Sequence, residues 1–289
     1  MSLTFYALNC CRSTPLRRGG SVRKMIGSCR TFLIGIVVIL LLGLRLGCIP
    51  GKATAAPHYH PEAHTREAPH THHNEENSEI STEVSYDANR LFVQIRDKDG
   101  RSPVLTVNHE KEMHLIIVSR DLKSFFHVHP ERLDNGDFAA DVLLPDGDYR
   151  VFVDITPRDH SYAVAAHTLE VGNTDEGEAP PFWSASPLTQ EIEGRRVTLE
   201  AGPIHLHESS NLRFHLHGAK TEPYLGAKGH VVLIDETAQT YIHVHPVAED
   251  VLEFSAHFEK PGRYKLWAEF NFPGQGVLAF PFTIEVPSK

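Results

Sequence analysis

The chain has 289 residues, of which 41% are hydrophobic and 22% charged, and this composition excludes a protein that is disordered throughout. Eight basic residues and no acidic ones lie in the first 56 positions, so the remaining chain carries 20 basic residues against 37 acidic ones. A surface that acidic repels nucleic acid and attracts cations, so we expect no nucleic-acid partner.

Residues 1–56 are predicted to be an export signal or an N-terminal membrane anchor. A basic stretch precedes the apolar run TFLIGIVVILLLGL at 31–44, and ATAA at 53–56 offers small residues for cleavage. The run is short for a membrane-spanning helix, although an uncleaved anchor stays open. The sequence LRLGC, which ends at Cys48, also leaves a lipid anchor open, but secretion is favoured over it because Arg45 lies where lipoprotein signals prefer an apolar residue. We therefore expect an exported protein, extracellular or periplasmic, that contacts the membrane only through this segment.

Residues 57–79, PHYHPEAHTREAPHTHHNEENSE, are predicted to form a disordered tether. They combine six histidines and three prolines with no apolar periodicity, which is typical of a segment without a packed core. Two roles stay open for this tether. It is either a soluble spacer or a loose metal collector, since histidine tracts bind metals without folding.

From residue 80 onward, short runs of β-forming residues alternate with turn sequences. Runs such as RLFVQIRD at 90–97 and DYRVFVDI at 148–155 are separated by DKDG, PERLDNG and PDG. This spacing predicts an all-β fold, with an immunoglobulin-like antiparallel β-sandwich over 80–171. The acidic, proline-containing stretch 172–187 is predicted to be a linker, after which the pattern restarts as a second sandwich over 188–289.

The two sandwiches are predicted to be tandem copies of one module, so that the chain contains an internal repeat. His114 precedes His127 by 13 residues, and His230 precedes His243 by the same distance. The sequence PDGDYRVFVD in the first half also matches KPGRYKLWAE in the second, and HTLEV matches FTIEV.

Each copy contains an H-V-H-P sequence, FFHVHP at 125–130 and YIHVHP at 241–246. Residues i and i+2 of a strand share a face, so the two histidines of each sequence point the same way. We predict this to be the outer face or the end of the sandwich, because the apolar residues between the histidines point inward. A third histidine lies on the preceding strand. The predicted metal ligands are therefore His114, His127, His129, His230, His243 and His245.

The repetition of this pattern favours a metal site, although a single H-x-H pair would be weak evidence because exposed histidines on a strand are tolerated. Whether His114 shares a face with His127 stays open, since both faces of MHLIIVS are apolar. Imidazole suits copper, zinc and nickel. The chain beyond residue 56 has no cysteine and a single methionine, Met113, so copper(II) or zinc is expected rather than copper(I).

Two further H-x-H pairs occur in the second half, His205 with His207 and His215 with His217. Equivalent histidines of the two pairs are ten residues apart, a separation that suits a hairpin. They form either a second four-histidine cluster or a histidine-rich solvated face.

The stretch EPYLGAKGHVVLIDETAQTYIHVHP at 222–246, with the G-R-Y strand that follows, resembles exported bacterial β-sandwich proteins of the YtkA-like and FixH-like group. Residues 112–171 resemble a looser version that lacks the PYLGA part. The resemblance implies an exported immunoglobulin-like fold and copper carried by the two histidine triads. Because that group occurs in copper-handling and cytochrome-oxidase assembly settings, it also implies a membrane metal transporter or an oxidase-assembly partner.

Three classes of function fit these observations. The favoured one is an exported metal-binding protein that buffers or delivers copper or zinc. The alternative is a non-metal interaction or adhesion module of the cell envelope, and the third is a copper- or zinc-dependent enzyme. The chain contains no HExxH, G-x-S-x-G, P-loop or dinucleotide-binding sequence, so we nominate no catalytic residue.

Overall fold

Antiparallel β-strands build both halves of the chain in the computed structural model, which describes residues 78–173 and 186–288. The first half, domain 1, contains β1 (Ile80–Asp87), β2 (Arg90–Asp97), β3 (Leu105–Thr106), β4 (Met113–Ser119), β5 (Phe125–Val128), β6 (Glu131–Arg132), β7 (Phe138–Asp141), β8 (Gly147–Pro157) and β9 (Ala166–Val171). The second half, domain 2, contains β10 (Thr189–Ile192), β11 (Arg195–Ala201), β12 (Ser209–His215), β13 (His230–Asp235), β14 (Tyr241–Pro246), β15 (Glu253–His257), β16 (Gly262–Phe272) and β17 (Gly276–Val286).

The prediction of an all-β chain with two tandem immunoglobulin-like sandwiches is confirmed. Over the two described ranges there is no helix long and apolar enough to cross a membrane. The predicted export segment, nearly all of the predicted tether and most of the predicted linker lie outside the described residues.

Domain 1 is a sandwich of two sheets. One sheet has the order β1-β2-β7-β6, and the other has the order β3-β8-β4-β5 with β9 also paired to β8. Buried and exposed residues alternate along strand β2, since Leu91, Val93 and Ile95 are buried while the residues between them are exposed. This pattern is typical of a sheet with one face in the core and the other in solvent. These side chains pack with those of β4 and β8 into the core of domain 1.

Domain 2 follows one continuous path of strands, in the order β10-β11-β12-β15-β14-β13-β16-β17. Strand β14 changes partner along its length: Tyr241–Val244 pair with β13, whereas His245 and Pro246 pair with β15. In domain 1 the same change falls at Pro130, between β5 and β6. A proline cannot donate to the ladder, so each H-V-H-P sequence ends where its strand leaves one sheet for the other.

The strand registers show that the internal repeat is structural as well as sequential. His114 of β4 pairs with Asp154 of β8, and His230 of β13 pairs with Glu269 of β16. Strands β4, β5 and β8 of domain 1 therefore correspond to β13, β14 and β16 of domain 2.

A third apolar cluster joins the two domains, which lie within one compact unit. Strand β4 is buried over Met113–Val118, because alternate side chains enter the core of domain 1 and the others face domain 2. We call the second set, with its counterparts, the interface cluster. Its buried members are Ile116, Val118, Leu122 and Phe152 of domain 1 and Val232, Ile234, Ala238, Tyr241 and Trp267 of domain 2.

The interface cluster has approximate two-fold symmetry. Phe125 stacks on Trp267 with ring centroids 4.9 Å apart, and Phe152 stacks on Tyr241 at 5.6 Å. Phe125 corresponds to Tyr241 in the repeat, and Phe152 corresponds to Trp267, so the two stacks are the same contact made in both directions. The domains thus pack through the same sheet face, in the way that subunits of a two-fold dimer do.

Candidate metal centre

The strand registers place the three predicted ligands of each domain on one face. Ile116 pairs with His127, and Val232 pairs with His243. His114 and His230 are each two residues away from those partners, so they project to the same side. This is the outer face of each domain's own sheet, as predicted, but the other domain covers it. The histidine rings therefore point into the interface rather than into solvent.

The two histidine triads meet at one end of the interface cluster. His127 stacks on His230 with ring centroids 4.6 Å apart, and His114 lies 5.9 Å from His230 and 6.0 Å from His243. The H-V-H partners complete the group: His129 lies 4.5 Å from His127, and His245 lies 5.1 Å from His243. All six predicted residues thus adjoin one another as a single group of rings, which we call the histidine centre.

A seventh ring, His109, joins the histidine centre from the turn before β4. Asn108 and Lys111 bond each other across this turn, and His109 at its tip has a φ of 45°. Its ring centroid lies 4.7 Å from that of His243 and 5.7 Å from that of His245, so it bridges to domain 2. His109 could not be predicted as part of the site from the internal repeat, because the corresponding position of the second half is Leu225.

Two carboxylates hold the rings in place, and neither was predicted from the sequence as part of the site. Glu269 Oε2 accepts hydrogen bonds from His127 Nδ1 at 2.7 Å and from His230 Nδ1 at 3.1 Å. Asp154 Oδ2 accepts from His243 Nδ1 at 2.7 Å and from the Tyr241 hydroxyl at 2.8 Å. The matched sequences PDGDYRVFVD and KPGRYKLWAE end at these two acids, which was the signal available for finding them.

Both carboxylates are ionised at neutral pH. Burial alone would raise the pKa of Glu269, but the adjacent imidazoles of His127 and His230 lower it to about 2. Burial opposes the ionisation of Asp154 as well, yet His243, His114 and Tyr241 lower its pKa below the usual value. An ionised carboxylate only accepts hydrogen bonds. The ring nitrogens that contact these two side chains therefore carry protons.

The proton positions leave lone pairs facing each other. His114 Nε2 lies 3.1 Å from the carbonyl oxygen of Asn108, which also only accepts, so the His114 proton sits there. The remaining nitrogens, His114 Nδ1 and His127 Nε2, are 3.0 Å apart. In domain 2, His230 Nε2 and His243 Nε2 are 3.2 Å apart. Each contact joins two lone pairs when the rings are neutral, and a cation between them would turn the repulsion into bonding.

Protonation of three of the rings is unfavourable at neutral pH. Burial lowers the pKa of His114 to about 4 and that of His129 to about 3, and it lowers the pKa of His230 well below the usual value. These three rings are neutral at neutral pH and offer lone pairs to a metal ion. Two nitrogens bound to a tetrahedral zinc at 2.0–2.1 Å lie about 3.3 Å apart, close to the separations in both histidine pairs.

His129 has a buried ring nitrogen without a hydrogen-bond partner. Its Nε2 is the one buried side-chain nitrogen or oxygen in the described ranges that has no hydrogen-bond partner. A buried polar atom without a partner is costly and calls for an explanation such as an ion. Two groups of three side chains bring one ligand atom each within 4.8 Å of one another. The first consists of His114, His127 and His129, and the second consists of His127, His230 and Glu269.

The second four-histidine cluster, left open by the sequence, does not appear among the described residues as a three-ligand group. His215 Nε2 lies 2.6 Å from a carboxylate oxygen of Glu200, and His217 Nε2 lies 2.7 Å from the hydroxyl of Thr198. Both contacts lie on the exposed side of the sheet. These histidines belong to a solvated face.

Comparisons with known proteins concern the fold and the repeat. A family model described as "Domain of unknown function (DUF8832)" matches residues 77–173 and again residues 190–288. Similar solved structures include a two fibronectin type-III domain segment from chicken tenascin, with 14% identity, a TM-score of 0.24, and coverage of 71% of this chain and 98% of that one. The FN1–FN3 domains of chicken CNTN1 match with 12% identity, a TM-score of 0.22, and coverage of 72% and 67%.

No protein in the curated set gives a significant match. The family model matches both domains and more than half of the chain. The chain therefore belongs to the family described as "Domain of unknown function (DUF8832)" and contains two copies of its domain.

Proposed function

We propose that this protein binds copper(II) or zinc at the histidine centre and serves as an exported buffer or delivery protein for that metal. The observation that supports this most strongly is the pairing of ring nitrogens. His114 with His127 and His230 with His243 each place two nitrogens 3.0–3.2 Å apart, while the opposite nitrogen of every ring contacts an oxygen that only accepts. Rings held in one tautomer with a lone pair free are prepared for a metal.

The surroundings of the rings favour the same function. Histidines that bind a metal commonly donate their other N–H to a carboxylate or backbone carbonyl, which fixes the ring and makes it a stronger ligand. Here Glu269, Asp154 and the carbonyl of Asn108 are such acceptors. The donors are all imidazoles, which suits copper(II) and zinc better than copper(I).

The alternative, a non-metal interaction or adhesion module, would treat the histidines as incidental. Gathering seven buried or half-buried histidine rings gives such a module no benefit, because imidazoles removed from water cost solvation and their lone pairs repel. Export and a transporter or oxidase-assembly partner remain proposals that rest on residues 1–56 and on the sequence resemblance. A copper- or zinc-dependent enzyme is the least favoured alternative, because the centre is enclosed between two domains.

Metal titration of the full chain tests the proposal, provided that the histidines of the predicted tether cannot bind. We would replace those six residues, His58, His60, His64, His70, His72 and His73, with serine and titrate copper(II) or zinc against a competing chelator. The double variant His114→Asn/His230→Asn should then lose at least 100-fold in affinity, because each substitution removes one nitrogen of a facing pair.

The matched control is His215→Asn/His217→Asn, which removes two exposed histidines of domain 2 and should leave affinity unchanged. Circular dichroism of each variant verifies the β-fold. If the tether-substituted protein binds neither metal, or if both double variants bind as it does, the proposal is wrong and the interaction module is favoured.

A further inference from the structure

We infer that the histidine centre holds two metal ions, one at each facing nitrogen pair, as a single dinuclear centre whose positioning carboxylates are exchanged between the domains. The inference rests on the proposed function and extends it. It specifies how many ions bind, where they lie, and why neither domain provides a complete site alone.

Two binding positions follow from the two facing nitrogen pairs. One ion lies between His114 Nδ1 and His127 Nε2, and the other lies between His230 Nε2 and His243 Nε2. These positions are distinct, because His127 and His230 stand side by side with both Nδ1 atoms on the same oxygen of Glu269. Their Nε2 atoms therefore point away from Glu269 in roughly the same direction, toward different partners.

The spacing of the rings fits a pair of ions. The centroids of His127 and His230 are 4.6 Å apart and their planes differ by 28°. Ions bound to the Nε2 atoms of these rings would lie at a comparable separation, on the order of 5 Å, just above the range of known two-metal sites. In domain 1 the buried Nε2 of His129 is available as a third nitrogen beside the pair of His114 and His127. In domain 2 His245 lies beside His243 with the two rings stacked at 9°, so the second ion rests on the facing pair of His230 and His243.

The carboxylates cross the interface. Asp154 belongs to domain 1, but its Oδ2 holds His243 and Tyr241 of domain 2. Glu269 belongs to domain 2, but its Oε2 holds His127 of domain 1 as well as His230 of its own domain. In the sheet register Asp154 pairs with His114, and Glu269 pairs with His230, each within its own domain. Across the interface Asp154 positions His243, and Glu269 positions His127.

This arrangement also balances charge. Two divalent ions at such a separation repel, and the repulsion is strong where water is excluded. The centre carries two largely buried carboxylates, Asp154 and Glu269, and their oxygens hold the Nδ1 atoms of His243, His127 and His230. They offset part of the cationic charge without occupying coordination positions.

Stoichiometry and magnetic coupling test the number of ions. The tether-substituted full chain would be loaded with copper(II), and the ions counted by native mass spectrometry and by electron paramagnetic resonance. We expect two ions per chain and a spin-coupled signal, because two copper(II) ions on the order of 5 Å apart interact magnetically. One ion per chain, or two with the signals of isolated copper(II), would overturn the dinuclear centre and leave the proposed function standing. No bound ion would overturn both.

Carboxylate variants test the exchange between domains. Asp154→Asn should weaken one ion by 10–100-fold and change its copper hyperfine signature, since only His243 among the ligands loses its acceptor. Glu269→Gln should weaken both ions, because Glu269 holds one ring of each triad. Glu170→Gln, an exposed acid on β9, is the matched control and should weaken neither. If Asp154→Asn leaves both ions unchanged, or weakens both equally, the exchanged positioning is wrong.

Discussion

Placing two like charges in the interface cluster should separate the domains without unfolding them. The perturbation is the double variant Ile116→Asp/Val232→Asp, at equivalent positions of the repeat. Both side chains are fully buried, and both belong to the cluster between the domains rather than to a domain core. Once the domains part, either aspartate lies on the wet outer face of a sandwich, where a carboxylate costs little.

The structure gives the size of the effect. Eight of the nine buried side chains of the interface cluster are larger than alanine. At about 1.5–3 kcal/mol each, they contribute roughly 12–24 kcal/mol before opposing terms, which is an upper value because unfolded chains also bury apolar surface. Truncation by Ile116→Ala should cost about 2–5 kcal/mol and leave one unfolding transition. The two carboxylates each cost several kcal/mol if buried unpaired, repel each other, and replace two of the eight large apolar side chains, so together they shift the balance toward separated domains.

Calorimetry and small-angle scattering would measure the outcome in metal-free protein. We expect the wild type to unfold in one transition and the double aspartate variant to unfold in two, with a larger radius of gyration before the first. Ile117→Asp is the control, because Ile117 is the neighbour that enters the core of domain 1, and its substitution should unfold that domain. If the double variant keeps a single transition at the wild-type midpoint, the interface does not hold the domains together as described.

Two further predictions concern the histidine centre without metal. The pKa values of His114, His129 and His230 are lowered by folding, so the unfolded chain binds more protons once the pH falls below the model imidazole value of 6.5. The contribution of these rings to the free energy of unfolding should be fully present above pH 6.5 and be lost as the pH drops toward 4. Denaturant titrations should show a fall of about 3–4 kcal/mol per pH unit if two to three protons are taken up, and a flat profile would contradict this. His129→Asn removes the unpartnered nitrogen, so the variant should be at least as stable as wild type without metal but bind copper(II) more weakly; a loss of stability with unchanged affinity would contradict the role given to Nε2.

The sequence was sufficient to predict the strands and the duplication, because each depends on local periodicity or on comparison of the two halves. The same comparison singled out the six histidines that the structure brings together, whose role as metal ligands stays a prediction. It left the orientation of His114 open, since MHLIIVS is apolar on both faces. The structure supplies the reason: Met113, Leu115 and Ile117 fill the core, while Ile116 and Val118 meet the other domain. A strand of an antiparallel sandwich that is apolar on both faces indicates a second packing surface.

The sequence could not show that the histidine triads of the two domains lie next to each other. Two separate modules with one site each fit the same spacing, and only the packing of one sheet face on the other brings the sites together. His109 was not predicted as part of the centre, because the equivalent residue in the second half is Leu225. Asp154 and Glu269 were identifiable in principle, as acids conserved between the two halves at the ends of matched strands, but their relation to the histidines depends on strand register.

The division of the interface into an apolar end and a histidine end explains how the centre can exist before metal binds. Facing lone pairs and buried imidazoles oppose the docking of the domains, whereas the interface cluster favours it by burying apolar surface. The rings are therefore held in place in advance, and a metal need not assemble its own ligands. The side chain of His127 is 0% exposed and that of His243 is 12% exposed. If the centre binds a metal as proposed, these rings would hold the ion away from solvent, and slow exchange would favour buffering over rapid transfer.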